Sequence, residues 1–290
     1  MIDNRFPFTE IIKIDDIIIF QHFKSEIEFL RHLTHVLAYD FAKKKIKKGS
    51  KILDVGTGEG YGSAYLALAD KEFNVIGIDI DKNYILHARK KYTFNNLKFK
   101  LYNGNKLPFE DSKFDAVTAF QVIEHIKDEH NFISEIYRVL KPNGILIITT
   151  PNRIHRLRHG QKPFNIEHIR EYYPKEIFRL LRSSFINIEL LGVFGKDEIH
   201  RKIIELSKFT KLGIFDWVIN VYHQKLAIFL PKFLISIFRN VKNRNHKVIT
   251  SNTINSNQNF LNYQKYSLNN FLISKKNTFY SIDLLCVCKK

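Results

Sequence analysis

Cysteine is nearly absent: the 290 residues contain two, Cys286 and Cys288. Two positions apart in a stretch that reads as a strand, they point to one face and are too constrained to bridge each other. No disulfide framework holds this chain, and a reducing cytoplasm is its expected home. Acids are scarce as well. Asp and Glu number 29 against 46 Lys and Arg, a formal net charge of +17. They almost vanish toward the C-terminus, where residues 200–290 set fifteen Lys and Arg against Glu205, Asp216 and Asp283. Such a balance favours acidic substrates, nucleic acid or an anionic membrane surface as company. No apolar run reaches the ~18 residues of a membrane-spanning helix. The opening MIDNRFPFTEIIKIDD is acidic and broken by Pro7, unlike a signal peptide. No internal repeat is visible, and 44% apolar residues exclude wholesale disorder and can close a large core.

What is present is an alternation. In SEIEFLRHLTHVLAYDFAKKK, Ser25 and Glu28 make a capping-box pattern, and Leu30, Leu33, Leu37 and Phe41 recur at helical spacing. After this helical lead-in come KILDVG, a helix from Tyr61 to Asp70, NVIGIDI, a helix through Leu86, LKFKLYN, and then FDAVTAF. A helix carrying Phe132, Ile136 and Leu140 leads through Pro142-Asn143-Gly144 into ILIITT. A helix announced by Pro174 precedes INIELLGVF, and YSIDLLCVCKK reads as a closing strand. Strands separated by helices at this pitch predict a parallel sheet covered on both faces.

The sharpest signal is Leu53-Asp54-Val55-Gly56-Thr57-Gly58-Glu59-Gly60-Tyr61-Gly62, a glycine-rich turn between strand and helix at the edge where open α/β folds hold ligands. Glycines let backbone approach a ligand, and the helix N-terminus offers unpaired N–H groups. A dinucleotide fingerprint needs Gly where Tyr61 stands. Asp79 closes the second strand about 20 residues on, where a carboxylate can accept both ribose hydroxyls.

The G-x-G-x-G spacing after an acid resembles the first motif of class I S-adenosylmethionine-dependent methyltransferases. Asn103-Gly104-Asn105-Lys106-Leu107-Pro108-Phe109, Phe114-Asp115-Ala116-Val117, Glu124-His125-Ile126, Val139-Leu140-Lys141-Pro142-Asn143-Gly144 and Thr150-Pro151-Asn152 resemble the successive motifs of that family, in order. The resemblance covers Lys51 to Asn152 strongly and His35 to Phe194 loosely. It implies S-adenosylmethionine as cofactor. Asp54, Gly56, Thr57, Gly58 and Gly60 are expected to line its methionine end and Asp79 to hold its ribose. Ile80 is expected to pack on the adenine beside Asn103 and Gly104, and Gln121 to approach from the fourth strand. The family usually has Asp where Asn103 stands, so the amide keeps an acceptor but gives up a charge.

The family also implies an α/β, Rossmann-like sheet of seven strands in the order 3-2-1-4-5-7-6, with the last strand antiparallel. The expected division is a helical lead-in (1–45), the cofactor-binding core (46–195), a basic helical or loop insertion (196–281) and the final strand (282–290). Within the insertion, the mostly apolar stretch Leu226 to Phe238 is followed by Arg239, Lys242, Arg244 and Lys247. It reads as a lid over the acceptor, or as an element lying on the inner face of an anionic membrane.

Methyl transfer is an in-line displacement in which an enzyme contributes mostly positioning; a general base matters for a hydroxyl or protonated amine acceptor. Glu124, His125 and His168 are the candidate catalytic groups, with Asn165 and Glu171 beside them in NIEHIREYY. His168 and Glu171, three apart, fit a surface pair as well as a base held by its carboxylate. His35 and Tyr39 read as packing or lid residues, and His155 and His159 as contacts for an anionic substrate or solvated side chains. The histidines do not group at zinc-ligand spacing, so no metal is expected. The expected acceptor is a small molecule, a sugar or polysaccharide, or a lipid-linked compound. An rRNA enzyme and a non-catalytic cofactor-binding module stay open, although Gln121-Val122-Ile123-Glu124 stands where amino-methylating DNA enzymes carry a Pro-Pro-aromatic turn.

Overall fold

The computed structural model describes residues 10–14, 17–21, 26–157, 161–163, 165, 167–207 and 266–290. The chain divides into two units, residues 1–207 with 267–290 and residues 208–266, and every described residue except Tyr266 belongs to the first. The stretch from Leu226 to Lys247, read from sequence as a lid or membrane-surface element, lies outside the described residues, as do Ser25 and His159.

An antiparallel hairpin of β1 (Glu10–Ile14) and β2 (Ile17–Gln21) precedes the helix expected of the lead-in. Isoleucine-rich segments flanking Asp15-Asp16 suit paired strands, because β-branched side chains favour the extended backbone. Helix α1 (Glu26–Lys45) opens with Glu26 and Glu28 and closes with Lys43, Lys44 and Lys45, charges that complement its dipole. Leu30, Leu33 and Leu37 are buried along it.

The alternation then runs β3 (Lys51–Val55), α2 (Tyr61–Ala69), β4 (Asn74–Asp79), α3 (Lys82–Lys91), β5 (Leu97–Leu101), β6 (Phe114–Phe120), α4 (Glu129–Val139) and β7 (Leu140–Pro151). The short α5 (Arg153–Arg156), α6 (Pro174–Leu181), β8 (Asn187–Gly195), α7 (Asp197–Ser207), β9 (Phe271–Ser274) and β10 (Asp283–Lys289) complete it. The main sheet is ordered β5-β4-β3-β6-β7-β10-β8-β9. Its first seven members reproduce the expected order, with β10 antiparallel to both β7 and β8. The eighth strand, β9, pairs antiparallel with the end of β8 at the sheet edge. Its four residues, FLIS, are too few for a period-2 pattern to declare itself. Strand β7 also starts at Leu140, before the turn at Pro142-Asn143-Gly144. Asn143 takes φ 65° there and the register against β6 shifts between Phe114 and Ala116, so the expected turn is absorbed as an irregularity within the strand.

From β3 the chain winds through β4 to β5, whereas β6 and β7 wind the other way. Right-handed crossovers therefore place α2 and α3 on one face and α4 on the other. Leu53, Val117, Ile136, Leu146 and Leu284 are fully buried in the core between sheet and helices. The winding reverses between β3 and β6, the crevice where such sheets bind ligands.

Candidate functional site

Between β3 and α2 the backbone turns through Gly56, Gly58 and Gly60 with φ of 71°, 52° and 85°. These are left-handed conformations that favour glycine. A Cβ on Gly58 would meet nothing within 4 Å, whereas one on Gly60 would stand 2.7 Å from Ala88 Cβ and 2.8 Å from Phe99 Cζ. Gly58 thus turns bare backbone to open space, and Gly60 is a packing position. Gly56, Thr57 and Gly58 line a cleft of about 650 Å³, together with Tyr84 of α3 and with His35 and Tyr39 of α1. Burial pushes His35 down to about 4, with the Arg31 charge acting the same way, so its imidazole is neutral at pH 7.

Asp79 ends β4 as expected. Its carboxylate accepts the Gly58 N–H at 2.8 Å and the Asp81 N–H at 2.9 Å. Those bonds fix the carboxylate against the glycine turn and leave two of its roughly four acceptor positions for other donors. Ile80 is exposed, and Asn103 and Gly104 are exposed in the neighbouring turn, where Asn103 Oδ1 accepts the Asn105 N–H at 3.2 Å.

Asp54 stands next to last in β3, just before the glycine turn. It is wholly buried and accepts hydroxyl hydrogens from Ser63 at 2.6 Å, Thr118 at 2.7 Å and Tyr39 at 3.2 Å. Burial raises its pKa, and the three hydroxyls pull the other way. Thr57 Oγ1 lies 2.7 Å from Ser63 Oγ, so the same network reaches the glycine turn. Asp54 therefore ties α1, α2 and β6 behind the cleft. Gly60 is buried too, and Gln121 lines the neighbouring pocket.

That second pocket, about 280 Å³, shares Arg31 and His35 with the first. It is fed by the turn after β6. Gln121 takes φ 57°, with its N–H on Thr149 O at 3.0 Å and its side-chain amide on Thr149 Oγ1 at 3.3 Å. One 3-10 turn later, Ile123–His125 delivers Glu124 and His125. Glu124 is fully buried; its Oε2 accepts from Thr150 Oγ1 at 3.0 Å, while Oε1 has no hydrogen-bond partner. Burial pushes this carboxyl up to about 8. The segment after α5 closes over it, Ile169 donating its N–H to Glu124 O at 2.8 Å.

His168 in that segment packs edge-on against His125, with ring centroids 4.7 Å apart. His125 Nδ1 lies 2.9 Å from Glu167 O, and His168 Nδ1 lies 3.0 Å from Glu171 Oε1. Glu171 is buried and receives Arg156 Nε at 2.9 Å. Burial disfavours its charge, but the His168 and Arg156 contacts outweigh that and lower its pKa. The His168–Glu171 pair is thus an internal one rather than a surface pair. Asp283, pushed up to about 6 by burial, accepts from Thr34 Oγ1 at 3.2 Å across the pocket.

The structure so brings together all three candidate catalytic residues, and Asn165 and His155 line the same pocket. Arg31, Thr34, Arg156 and Asp283 carried no sequence signal, because their partners are far away in the chain. The expectation that the histidines do not group came from spacing; in space, ligand atoms of Glu124, His125 and His168 lie within 4.8 Å of one another.

A crevice at the switch point, with a glycine turn, a ribose-ready carboxylate and a polar pocket beside it, defines a nucleoside-cofactor enzyme of the class I methyltransferase architecture. A family model described as a methyltransferase domain matches residues 46–201, and the chain belongs to this family of S-adenosylmethionine-dependent methyltransferases. A protein named "Probable S-adenosylmethionine-dependent methyltransferase" in Mycolicibacterium smegmatis is 39% identical over 149 residues, 50% of this chain and 56% of that one. The ubiquinone biosynthesis O-methyltransferase of Rickettsia typhi is 31% identical over 211 residues, 65% of this chain and 85% of that one. The chain spans about half the length of the mycobacterial relatives it matches. A SAM-dependent methyltransferase from Thermotoga maritima superposes with a TM-score of 0.55 at 14% identity, over 90% of this chain and 92% of that one, a likeness of fold. The residues present fit the family's cofactor: the turn is open at Gly58, and Asp79 retains acceptor positions for two ribose hydroxyls.

Proposed function

We propose that this chain methylates an ionisable hydroxyl of a small, largely apolar acceptor, using S-adenosylmethionine. The observation that carries this reading is the adjacency of the two cavities, which share Arg31 and His35 on α1. When bound, the cofactor supplies a methyl group on a sulfonium leaving group. What remains for the chain is positioning and proton handling. The glycine turn and Asp79 hold the nucleoside side, and Gln121 lines the second cavity. Glu124, His125 and His168 face the acceptor and position its hydroxyl.

An oxygen acceptor is supported by two relatives with oxygen chemistry in their names, the Rickettsia ubiquinone biosynthesis O-methyltransferase and a fatty-acid O-methyltransferase of Mycolicibacterium smegmatis. An apolar or lipid-linked molecule suits the sequence from Leu226 to Lys247, whose composition also fits contact with an anionic membrane surface.

Calorimetric titration with S-adenosylhomocysteine tests the cofactor half. Wild-type protein binds it, and Asp79→Ala, which leaves two hydroxyls without a charged acceptor, binds about tenfold or more weakly, a loss of roughly 1.5–3 kcal/mol. A tritiated-methyl assay against hydroxylated quinols and fatty acids tests the acceptor. Equal binding by a normally folded Asp79→Ala protein refutes the assignment of that residue.

A further inference from the structure

We propose that Glu124, His125 and His168 bind one divalent transition-metal cation in the pocket beside the glycine cleft. The fold gathers one ligand atom from each within 4.8 Å, although His168 follows His125 only after two helices and a strand. Two imidazoles and a carboxylate make three ligands, and all three line the pocket, so a further coordination position is left for water or substrate, the arrangement of reactive rather than structural metal centres.

Two features beyond proximity point to a cation. The first concerns the nitrogens. His125 Nδ1 faces the Glu167 carbonyl and His168 Nδ1 faces the Glu171 carboxylate, both acceptors without a hydrogen to give. Nδ1 therefore donates in each ring, and Nε2 of the neutral imidazole carries the lone pair. A ring fixed in this way by an outer carbonyl or carboxylate is how metal-ligating histidines are held. Glu171 is itself buried and anchored by Arg156, so His168 has a complete outer shell.

The second is the Glu124 carboxylate. Its Oε2 is satisfied by Thr150, while Oε1 is buried without a partner. A buried polar atom left unpaired is costly, and a cation shared with the two rings supplies the missing partner. The nitrogen-rich donor set selects zinc, iron(II), cobalt or nickel over magnesium and calcium, which prefer all-oxygen surroundings. Open to the pocket, the ion polarises and orients an acceptor hydroxyl. That role rests on the methyltransferase reading of this pocket; binding of the ion does not.

Tag-free protein stripped with a chelator and titrated with Co²⁺ should bind one equivalent and develop visible d–d absorption, reversed by Zn²⁺ and unaffected by Mg²⁺. His125→Ala and His168→Ala should each weaken binding by about a hundredfold or more. Glu171→Gln, which takes the negative charge away from His168 and Arg156 while leaving an amide oxygen, should weaken it by about 10–100-fold. His130→Ala, an exposed site on α4, should change nothing. Should His168→Ala fail to fold, His125→Asn at its half-buried position reads the same loss. Absence of Co²⁺ binding, or unchanged affinity in the His125→Ala/His168→Ala double variant, overturns the proposal. S-adenosylhomocysteine titrated into the same samples separates the two ideas: if it binds while Co²⁺ does not, the cation site alone falls.

Discussion

Alanine at Gly58 should leave the protein stable and spoil cofactor binding, whereas alanine at Gly60 should do the reverse. Both glycines sit in the left-handed region, at φ 52° and 85°, so each substitution carries backbone strain of about 1–2 kcal/mol. At Gly58 that is the whole cost, because the new methyl group enters open space. At Gly60 the methyl would overlap Ala88 Cβ at 2.7 Å and Phe99 Cζ at 2.8 Å. Ala88 is fully buried and Phe99 nearly so, hence neither can withdraw. Overpacking of that kind adds about 1–3 kcal/mol, bringing Gly60→Ala to roughly 2–5 kcal/mol, a large share of a typical domain's stability. Urea unfolding measures the stability of each variant, and calorimetry with S-adenosylhomocysteine measures binding. Gly58→Ala should lower the midpoint only by that strain, clearly less than Gly60→Ala does, and lose at least about tenfold in affinity, or ~1.4 kcal/mol. Wild-type affinity in Gly58→Ala would show that the cofactor does not approach this backbone, and wild-type stability in Gly60→Ala would refute the packing argument.

The Asp283 carboxyl, pushed up to about 6 by burial, makes stability depend on pH. The unfolded chain releases this proton near the ordinary carboxylate range, so the native state holds it longer, and the contribution is lost as pH rises from about 4 through 6, by up to about 3 kcal/mol. Asp283→Asn should flatten that part of a stability–pH curve measured by urea unfolding; an equally steep fall in the variant argues against it. Cys286 and Cys288 are buried in the sheet, and burial holds Cys286 far above the ordinary thiol range and pushes Cys288 up to about 12. Neither forms thiolate at pH 8, so iodoacetamide should label neither in the native protein and both in urea, as mass spectrometry will show.

The seven main strands were legible because each is a compact apolar run, and their order followed from the family resemblance rather than from the runs themselves. Asp79 was legible for a similar reason: its distance from the glycines is set by one helix and one strand. The partners of Asp54 were not legible, because only space decides them. Its neighbours Ser63, Thr118 and Tyr39 come from three elements, and their hydroxyls convert a motif residue into an internal tie. Spacing likewise hid the grouping of Glu124, His125 and His168, since ligand spacing rules describe residues within a turn or two of each other, and this set closes across more than forty residues. β9 escaped because four residues carry no periodicity.

The family match from residue 46 to 201 contains the glycine turn, Asp79 and the cluster of Glu124, His125 and His168. Helix α1 lies outside it, and so does β10. Yet α1 supplies Arg31 and His35 to both cavities, and β10 brings Asp283 to the second, where Thr34 of α1 meets it. A step further along the same helix, Tyr39 packs so closely on α2 that a Cβ on Gly62 would fall 1.9 Å from its ring, and its hydroxyl reaches Asp54. The lead-in helix is thereby clamped to α2 while its other residues line both cavities. The family match thus covers the glycine turn, Asp79 and the Glu124 cluster, while α1 and β10 add walls to the two cavities from outside it. Those walls join residues far apart in the chain, which is why the sequence announces the glycine turn so clearly and the second cavity hardly at all.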